Sequence, residues 1–104
     1  MNRIPGYMLR QTASYRGFLG TTAHGPSYAT TTTMIRCRIE PKRTLFRTQD
    51  GSDIAATARL YAFPEAPLAP QGLVEFAGIT YEVLAVDRVP GRNGSIHHLE
   101  CLLK

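Results

Sequence analysis

The chain has 104 residues, of which 43% are apolar, enough for one hydrophobic core and a single domain over residues 1–104. We expect neither a membrane helix nor a secretory signal, because no apolar stretch is long enough, and two cysteines are too few for a disulfide scaffold. The net charge of +4 is unevenly divided: residues 1–52 carry eight Lys/Arg and two acids, and residues 53–104 carry four and six. Such a basic half faces nucleic acid, an acidic partner or only solvent.

The first third of the chain has a weak pattern. Residues Ile4–Gln11 are short and alternating enough to predict a first strand. Residues 12–33 have no clear period and place several glycines among Ser and Thr. We therefore predict a long flexible loop over 12–33, and loops of this length are usually functional or disordered.

The centre of the chain predicts strands. Ile35, Cys37 and Ile39 alternate with charged residues, which is typical of a half-buried strand, and Pro41 is expected to end it. Asp50-Gly51 is a strong signal for a two-residue hairpin turn, because both positions tolerate positive φ.

Residues 52–63 are ambiguous. Ser52 is a suitable N-cap for an alanine-rich helix. An inward-facing set at every second position is equally clear, and it predicts a strand: Ala56, Ala58, Leu60, Ala62. The hairpin turn just before this segment favours the strand.

The last third predicts two further strand pairs. Prolines at 64, 67 and 70 indicate a stiff surface crossing, and Ala77-Gly78 then joins strands at 73–76 and 79–86. A turn at 90–94 leads to a last strand, Ile96–Leu103. The fold class is therefore all-β, a small antiparallel barrel or sandwich of six or seven strands. Cys37 and Cys101 lie on inward faces and are expected to be buried thiols.

The sequence offers little catalytic chemistry. On a strand His98 and Glu100 point to one side and His97 to the other, so the three do not converge on a metal ion without a bulge. No nucleophile elbow or phosphate-binding loop is present. We expect no metal, no cofactor and no enzymatic activity. Arginines on one strand near several aromatics leave open an oligonucleotide-binding barrel, although such arginines also protect strand edges.

Four motifs occur in a characteristic order: the strand Met34–Glu40, the Asp50-Gly51 turn, Gly78-Ile79-Thr80-Tyr81-Glu82-Val83, and His97-His98-Leu99-Glu100. In this order and spacing they resemble the head-closure proteins of tailed bacteriophages, also called stopper or head–tail joining proteins. The resemblance covers about residues 34–104. The chain departs from the family before its second hairpin, where an Asp is common and Gln71-Gly72 stands here.

The resemblance implies a structural protein of the phage neck that has no catalytic activity. Such proteins form a ring, commonly of six subunits, between the portal with its adaptor and the tail or tail-terminator proteins. The ring closes the channel that holds the packaged double-stranded DNA. The protein is then expected in the virion, at the head–tail interface, after synthesis in the host cytoplasm.

On this interpretation the part of the loop from Ser14 to Thr33 faces the channel or the neighbouring ring. Three arginines are expected near DNA or an acidic partner: Arg16, Arg36, Arg38. Four residues are expected in subunit or partner contacts: Phe18, Tyr28, His98, Glu100. For His98 and Glu100 a plain solvent-exposed strand face is the other reading. A tail-completion (terminator) protein of the same neck, which usually carries helices packed on a sheet, and an oligonucleotide-binding barrel remain alternatives.

Overall fold

The computed structural model describes residues 4–104, except for the side chain of Phe46. One turn of 3₁₀ helix at Gly6–Met8 precedes eight strands. In chain order these are β1 (Gln11–Arg16), β2 (Phe18–Thr22), β3 (Gly25–Tyr28), β4 (Thr33–Arg47), β5 (Asp53–Ala62), β6 (Leu73–Phe76), β7 (Ile79–Pro90) and β8 (Ile96–Leu103). Within the described part of the chain, no helix has the length and hydropathy needed to span a bilayer.

Six of the strands form a closed antiparallel barrel in the order β1-β4-β5-β8-β7-β6, with β6 pairing back to β1. Strands β2 and β3 pair with each other in a separate two-stranded sheet. The predicted all-β fold with antiparallel strands is confirmed, and it takes the form of a barrel. Closure removes the exposed sheet edges that promote aggregation.

The barrel interior is filled by the positions that the alternation predicts. The inward sets of β4 and β5 are buried as expected, and the ambiguous segment 52–63 contains strand β5 and no helix. Every barrel strand contributes to the core, as does Leu68 from the proline-rich crossing: Ala13, Tyr15, Ile35, Cys37, Ile39, Ala58, Leu60, Ala62, Leu68, Val74, Val83, Leu99, Cys101, Leu103. The two thiols are buried and free, as predicted.

A turn is present at Asp50-Gly51, but the prediction that it has two residues is wrong. Gly51 has a φ of 88° and Asp50 has no positive φ, and the Thr48 amide donates to the Ser52 carbonyl, which leaves three residues between the paired ends. The two-residue turn predicted at Ala77-Gly78 is confirmed. Ala77 and Gly78 both have positive φ, 52° and 80°, which is the conformation of a type I′ hairpin turn.

Two predictions for the first third of the chain are wrong. Residues 4–10 do not form a strand, because the chain turns through the 3₁₀ helix and only the Ile4 amide bonds to another strand, at the His97 carbonyl. Residues 12–33 are not one long loop, since they contain most of β1 and the β2–β3 hairpin. Strand β1 turns only Ala13 and Tyr15 inward, with Thr12, Ser14 and Arg16 beside them, and two apolar residues give almost no hydropathy signal.

Bulges account for two further differences. Pro41 does not end β4; the strand continues past a register shift between Pro41 and Thr44, where a residue without an N–H is tolerated. The sequence alternates over residues 80–85 so as to predict Tyr81, Val83 and Ala85 on one face of the strand, but a second shift, between Val83 and Ala85, reverses this alternation. Val86 therefore packs against the core in place of Ala85.

Tyr15 is buried where β1 pairs with β6 and completes the barrel. The Tyr15 hydroxyl accepts a hydrogen bond from the Ala69 amide at 3.1 Å. A Cβ built on Gly72 would lie 2.5 Å from Cε1 of the same ring. Because Gly72 is buried and its carbonyl accepts from the Val83 amide, the ring has no room to move away from this position. The close approach requires glycine at position 72.

Replacing Gly72 by Ala should therefore lower the free energy of unfolding by about 1–3 kcal/mol, the usual cost of overpacking a core. Urea unfolding followed by circular dichroism measures the change. Gly17→Ala is the matched control, because its Cβ meets only the Tyr15 hydroxyl, at 3.9 Å. Equal stability of the two variants would contradict this account of barrel closure.

Candidate functional site

Three of the seven predicted contact residues meet at the base of the β2–β3 hairpin. The Arg16 guanidinium lies over the Tyr28 ring, 5.8 Å from its centroid. Phe18 contacts the same ring edge-on, also at 5.8 Å between centroids. The Ala29 amide donates to the Gly17 carbonyl at 2.8 Å and so continues the pairing to the end of β1. We call Arg16, Phe18 and Tyr28 the hairpin cluster.

The other four predicted residues lie elsewhere on the outer surface, on β4 and β8. Arg36 and Arg38 project from β4 as predicted. Arg36 donates to the Gly6 carbonyl at 3.1 Å and lies over the Phe63 ring, and Arg38 pairs with Glu40 at 3.0 Å. Both guanidinium groups therefore already have partners in the chain, which leaves less of their charge available to bind DNA.

Arg16 and Arg36 are also separated along the barrel. Arg36 is opposite Thr12 in the β1–β4 register, and Arg16 is four residues further along β1. At the rise of a strand, this is about 13 Å between the two positions. The structure therefore does not bring the three arginines into one basic patch.

The two histidines lie together, contrary to the prediction that they point to opposite sides. Val89 pairs with His98 and Pro90 with Ile96, so His97 is the extra residue of a bulge. The bulge brings the two Nδ1 atoms within 2.8 Å and the ring centroids within 5.0 Å. One Nδ1 must donate and the other accept, so the pair shares one proton in this contact.

His98 also lies beside two charged side chains, those of Glu100 and Arg59. Its Nε2 lies 3.5 Å from a Glu100 carboxylate oxygen, and the Arg59 guanidinium lies 3.6 Å from the other. Among residues 4–104 no group of three or more His, Cys, Asp or Glu side chains is placed to hold a metal ion. The arrangement orients side chains on a surface and provides no metal site.

A groove of about 360 Å³ lies beside the histidines. Residues of the first turn, including Ile4 and Leu9, form one wall, and Arg38, Tyr61 and His98 lie on the strand side. Ile4 and Leu9 are buried but lie outside the barrel core. Residues 4–10 are therefore packed on the outside of the barrel.

Neither thiol has the environment of a nucleophile. Burial raises the pKa of Cys37 from 9.0 to about 11. Burial, with smaller contributions from Cys37 and Glu100, raises the pKa of Cys101 to about 12. A reactive cysteine requires the opposite shift and access to solvent.

Sequence reasoning missed a surface feature that depends on strand register. Asp87 on β7 is directly opposite Glu100 on β8, and both side chains point outward. Lys42 and Arg43 lie at the bulge that follows Pro41, on the part of β4 that pairs with β5 and extends beyond its pairing with β1. The sequence shows these charges but not their neighbours, because the bulges shift the register.

The sequence matches no protein-family model, and no curated protein resembles it. The fold is similar to that of a chain in a solved structure titled as the virion of a native gene transfer agent particle. The two chains are 14% identical, with a TM-score of 0.51, over 91% of this chain and 92% of the other. The likeness extends over almost the whole domain, and at this identity it is a likeness of fold.

The raised thiol pKa values predict how stability changes at high pH. Thiols in the unfolded chain ionise near 9.0 and those in the folded chain near 11 and 12, so the unfolded state releases protons first. The contribution of the thiols to stability is complete below pH 9.0 and is lost as the pH rises through about 11 for Cys37 and about 12 for Cys101. Cys101→Ala should be less stable near neutral pH and show a shallower loss over this range. Urea unfolding across the range measures both slopes, and equal slopes would contradict the assignment.

Proposed function

We propose that the protein is a structural subunit of the neck of a tailed phage-like particle, a head-closure protein that forms a ring, with six subunits as the expected number. The ring would join the portal and its adaptor to the tail and close the channel over the packaged DNA. The observation that carries the proposal is the likeness in fold, over 91% of the chain, to a chain of a gene transfer agent virion. The order of motifs in residues 34–104 independently supports the same role.

The β2–β3 hairpin supports an assembly role. Neither strand pairs with the barrel, and no residue of 18–28 belongs to the buried core. A lone two-stranded hairpin is marginally stable in water and is usually supported by further contacts. Leu19, with 68% of its surface exposed, lies on this hairpin. We infer that the hairpin completes its packing against the channel or the neighbouring ring.

The alternatives are less well supported. A terminator protein usually carries helices packed on a sheet, and residues 4–104 contain only one short 3₁₀ turn. An oligonucleotide-binding barrel needs free cations beside stacking aromatics, but Arg36 and Arg38 have partners within the chain and Arg16 lies apart from them. The proposal assigns no catalytic step to the protein.

The proposal is tested by mixing the purified protein with DNA-filled, tailless heads that carry the portal and adaptor. Sedimentation should show the protein moving with the heads, and such heads should then accept tails. The same preparation is titrated with a single-stranded oligonucleotide at two salt concentrations. Tight binding with a strong salt dependence, by a protein that ignores the heads, would contradict the neck role and favour the oligonucleotide-binding barrel.

The hairpin provides a second prediction. Gly17 and Ala29 are hydrogen-bonded neighbours, so Phe18–Tyr28 can be replaced by a two-residue Asn-Gly turn. The barrel should keep its stability within about 1 kcal/mol, because the segment adds nothing to the core. Heads treated with this variant should leak DNA or fail to accept tails.

A matched control changes exposed residues beside the hairpin and leaves it intact: Thr30→Ala, Thr31→Ala and Thr32→Ala together. This control should restore joining like the unaltered chain. Full joining by the shortened variant would rule out a role for the hairpin in closure.

A further inference from the structure

The charges of the barrel are divided between two opposite sides. Strands β1 and β4 contain six Lys/Arg and one acid, whereas β6, β7 and β8 contain four acids and one Arg. Neighbouring strands of a six-stranded barrel are related by about 60°, and β4 and β7 are three positions apart in the strand order. The basic β4 and the acidic β7 therefore lie on opposite sides of the same molecule.

The acidic side contains a groove of about 400 Å³. Its charged residues include Asp87 and Glu100, which stand directly opposite each other across β7 and β8, an unfavourable arrangement for like charges. Arg59 approaches Glu100 at 3.6 Å, but Asp87 forms no ion pair with any residue from 4 to 104. Ala85 and Leu102 add apolar surface. We call this groove, in which Asp87 and Glu100 lie with Arg59, Ala85 and Leu102, the acidic groove.

The basic side contains a surface of opposite charge. The bulge after Pro41 leaves Lys42 and Arg43 exposed, without an ion pair to any described residue. Next to them Leu45 has 74% of its surface exposed, more than the other large apolar residues described. We call Lys42, Arg43 and Leu45 the basic corner. An exposed apolar side chain beside unpaired cations is typical of an interface.

We propose that copies of this chain join head to tail, with the basic corner of one copy docking in the acidic groove of the next. The cations of the corner relieve the repulsion between Asp87 and Glu100, and Leu45 covers Ala85 and Leu102. Because the contact joins two different surfaces of the chain, it is heterologous, and such contacts repeat into a ring when the rotation closes. The inference deepens the proposed function, since it names the subunit contact of the ring.

Cysteine cross-linking tests the contact directly. The double variant Leu45→Cys/Ala85→Cys is treated with a short bismaleimide, as free protein and after binding to heads. Cys37 and Cys101 are fully buried and do not compete for the reagent. A head-to-tail contact joins two different surfaces, so the double variant should give a ladder of multimers, and each single variant should stay monomeric. Leu45→Cys/Ile79→Cys is the control, because Ile79 is exposed on β7 outside the groove.

The outcomes separate this inference from the proposed function. Head binding without a ladder on the heads overturns the contact and leaves the neck role standing. A ladder in free protein that ignores the heads supports the contact and contradicts the neck role. No ladder in either setting overturns the contact, as do cross-linked dimers from Leu45→Cys alone, because dimers would show that the corner contacts itself.

Charge reversal provides a second test. Lys42→Glu/Arg43→Glu and Asp87→Lys should each weaken self-association by at least about tenfold, as expected for a close charge pair at an interface. Mixing the two variants should restore association. The acidic corner of the Lys42→Glu/Arg43→Glu variant then meets the groove that carries Asp87→Lys. Glu75→Lys, the same change of charge on β6 outside the groove, is the control. Failure of the mixture to associate, or an equal loss in the control, would overturn the proposal.

Discussion

Closure of the barrel by the pairing of β1 with β6 is the constraint on which the other features of the molecule depend. Tyr15 fills the interior where these strands meet, its hydroxyl bonds to the Ala69 amide, and Gly72 leaves room for its ring. Because the strands form a complete circle, every outward side chain has a defined angular position. The separation of a basic side from an acidic side follows from this circle, and so does the position of the β2–β3 hairpin, which leaves the barrel directly after β1.

Much of the barrel can be predicted from alternation and turn chemistry. The sets around Cys37 and Leu60 repeat strictly at every second residue, and the turns at Asp50-Gly51 and Ala77-Gly78 each place a glycine at a position with positive φ. The wrong predictions have a common cause. Pairing with neighbouring strands stabilises segments whose local sequence does not by itself favour a strand. Strand β1 has almost no hydropathy pattern of its own and is held by its two neighbours. Pro41 terminates an isolated strand but is tolerated at a bulge within a sheet.

The candidate surfaces are less predictable than the core. The residues of the hairpin cluster come together because β1 continues into the hairpin. No periodic pattern in the sequence predicts this contact. The contact between His97 and His98 depends on a one-residue bulge, as does the exposure of Lys42 and Arg43. A bulge moves every following side chain to the other face, so a surface defined by several strands requires the register of each. Charge content could be predicted from the sequence, but its arrangement around the barrel could not.

The central claim, that this barrel is a ring-forming neck protein, is tested most directly by electron cryomicroscopy of DNA-filled, tailless heads incubated with the purified protein. The account predicts a closed ring of barrels below the portal and adaptor, with the β2–β3 hairpins directed toward the channel or the adjoining ring. A portal vertex without added density, on heads that still accept tails, would contradict it.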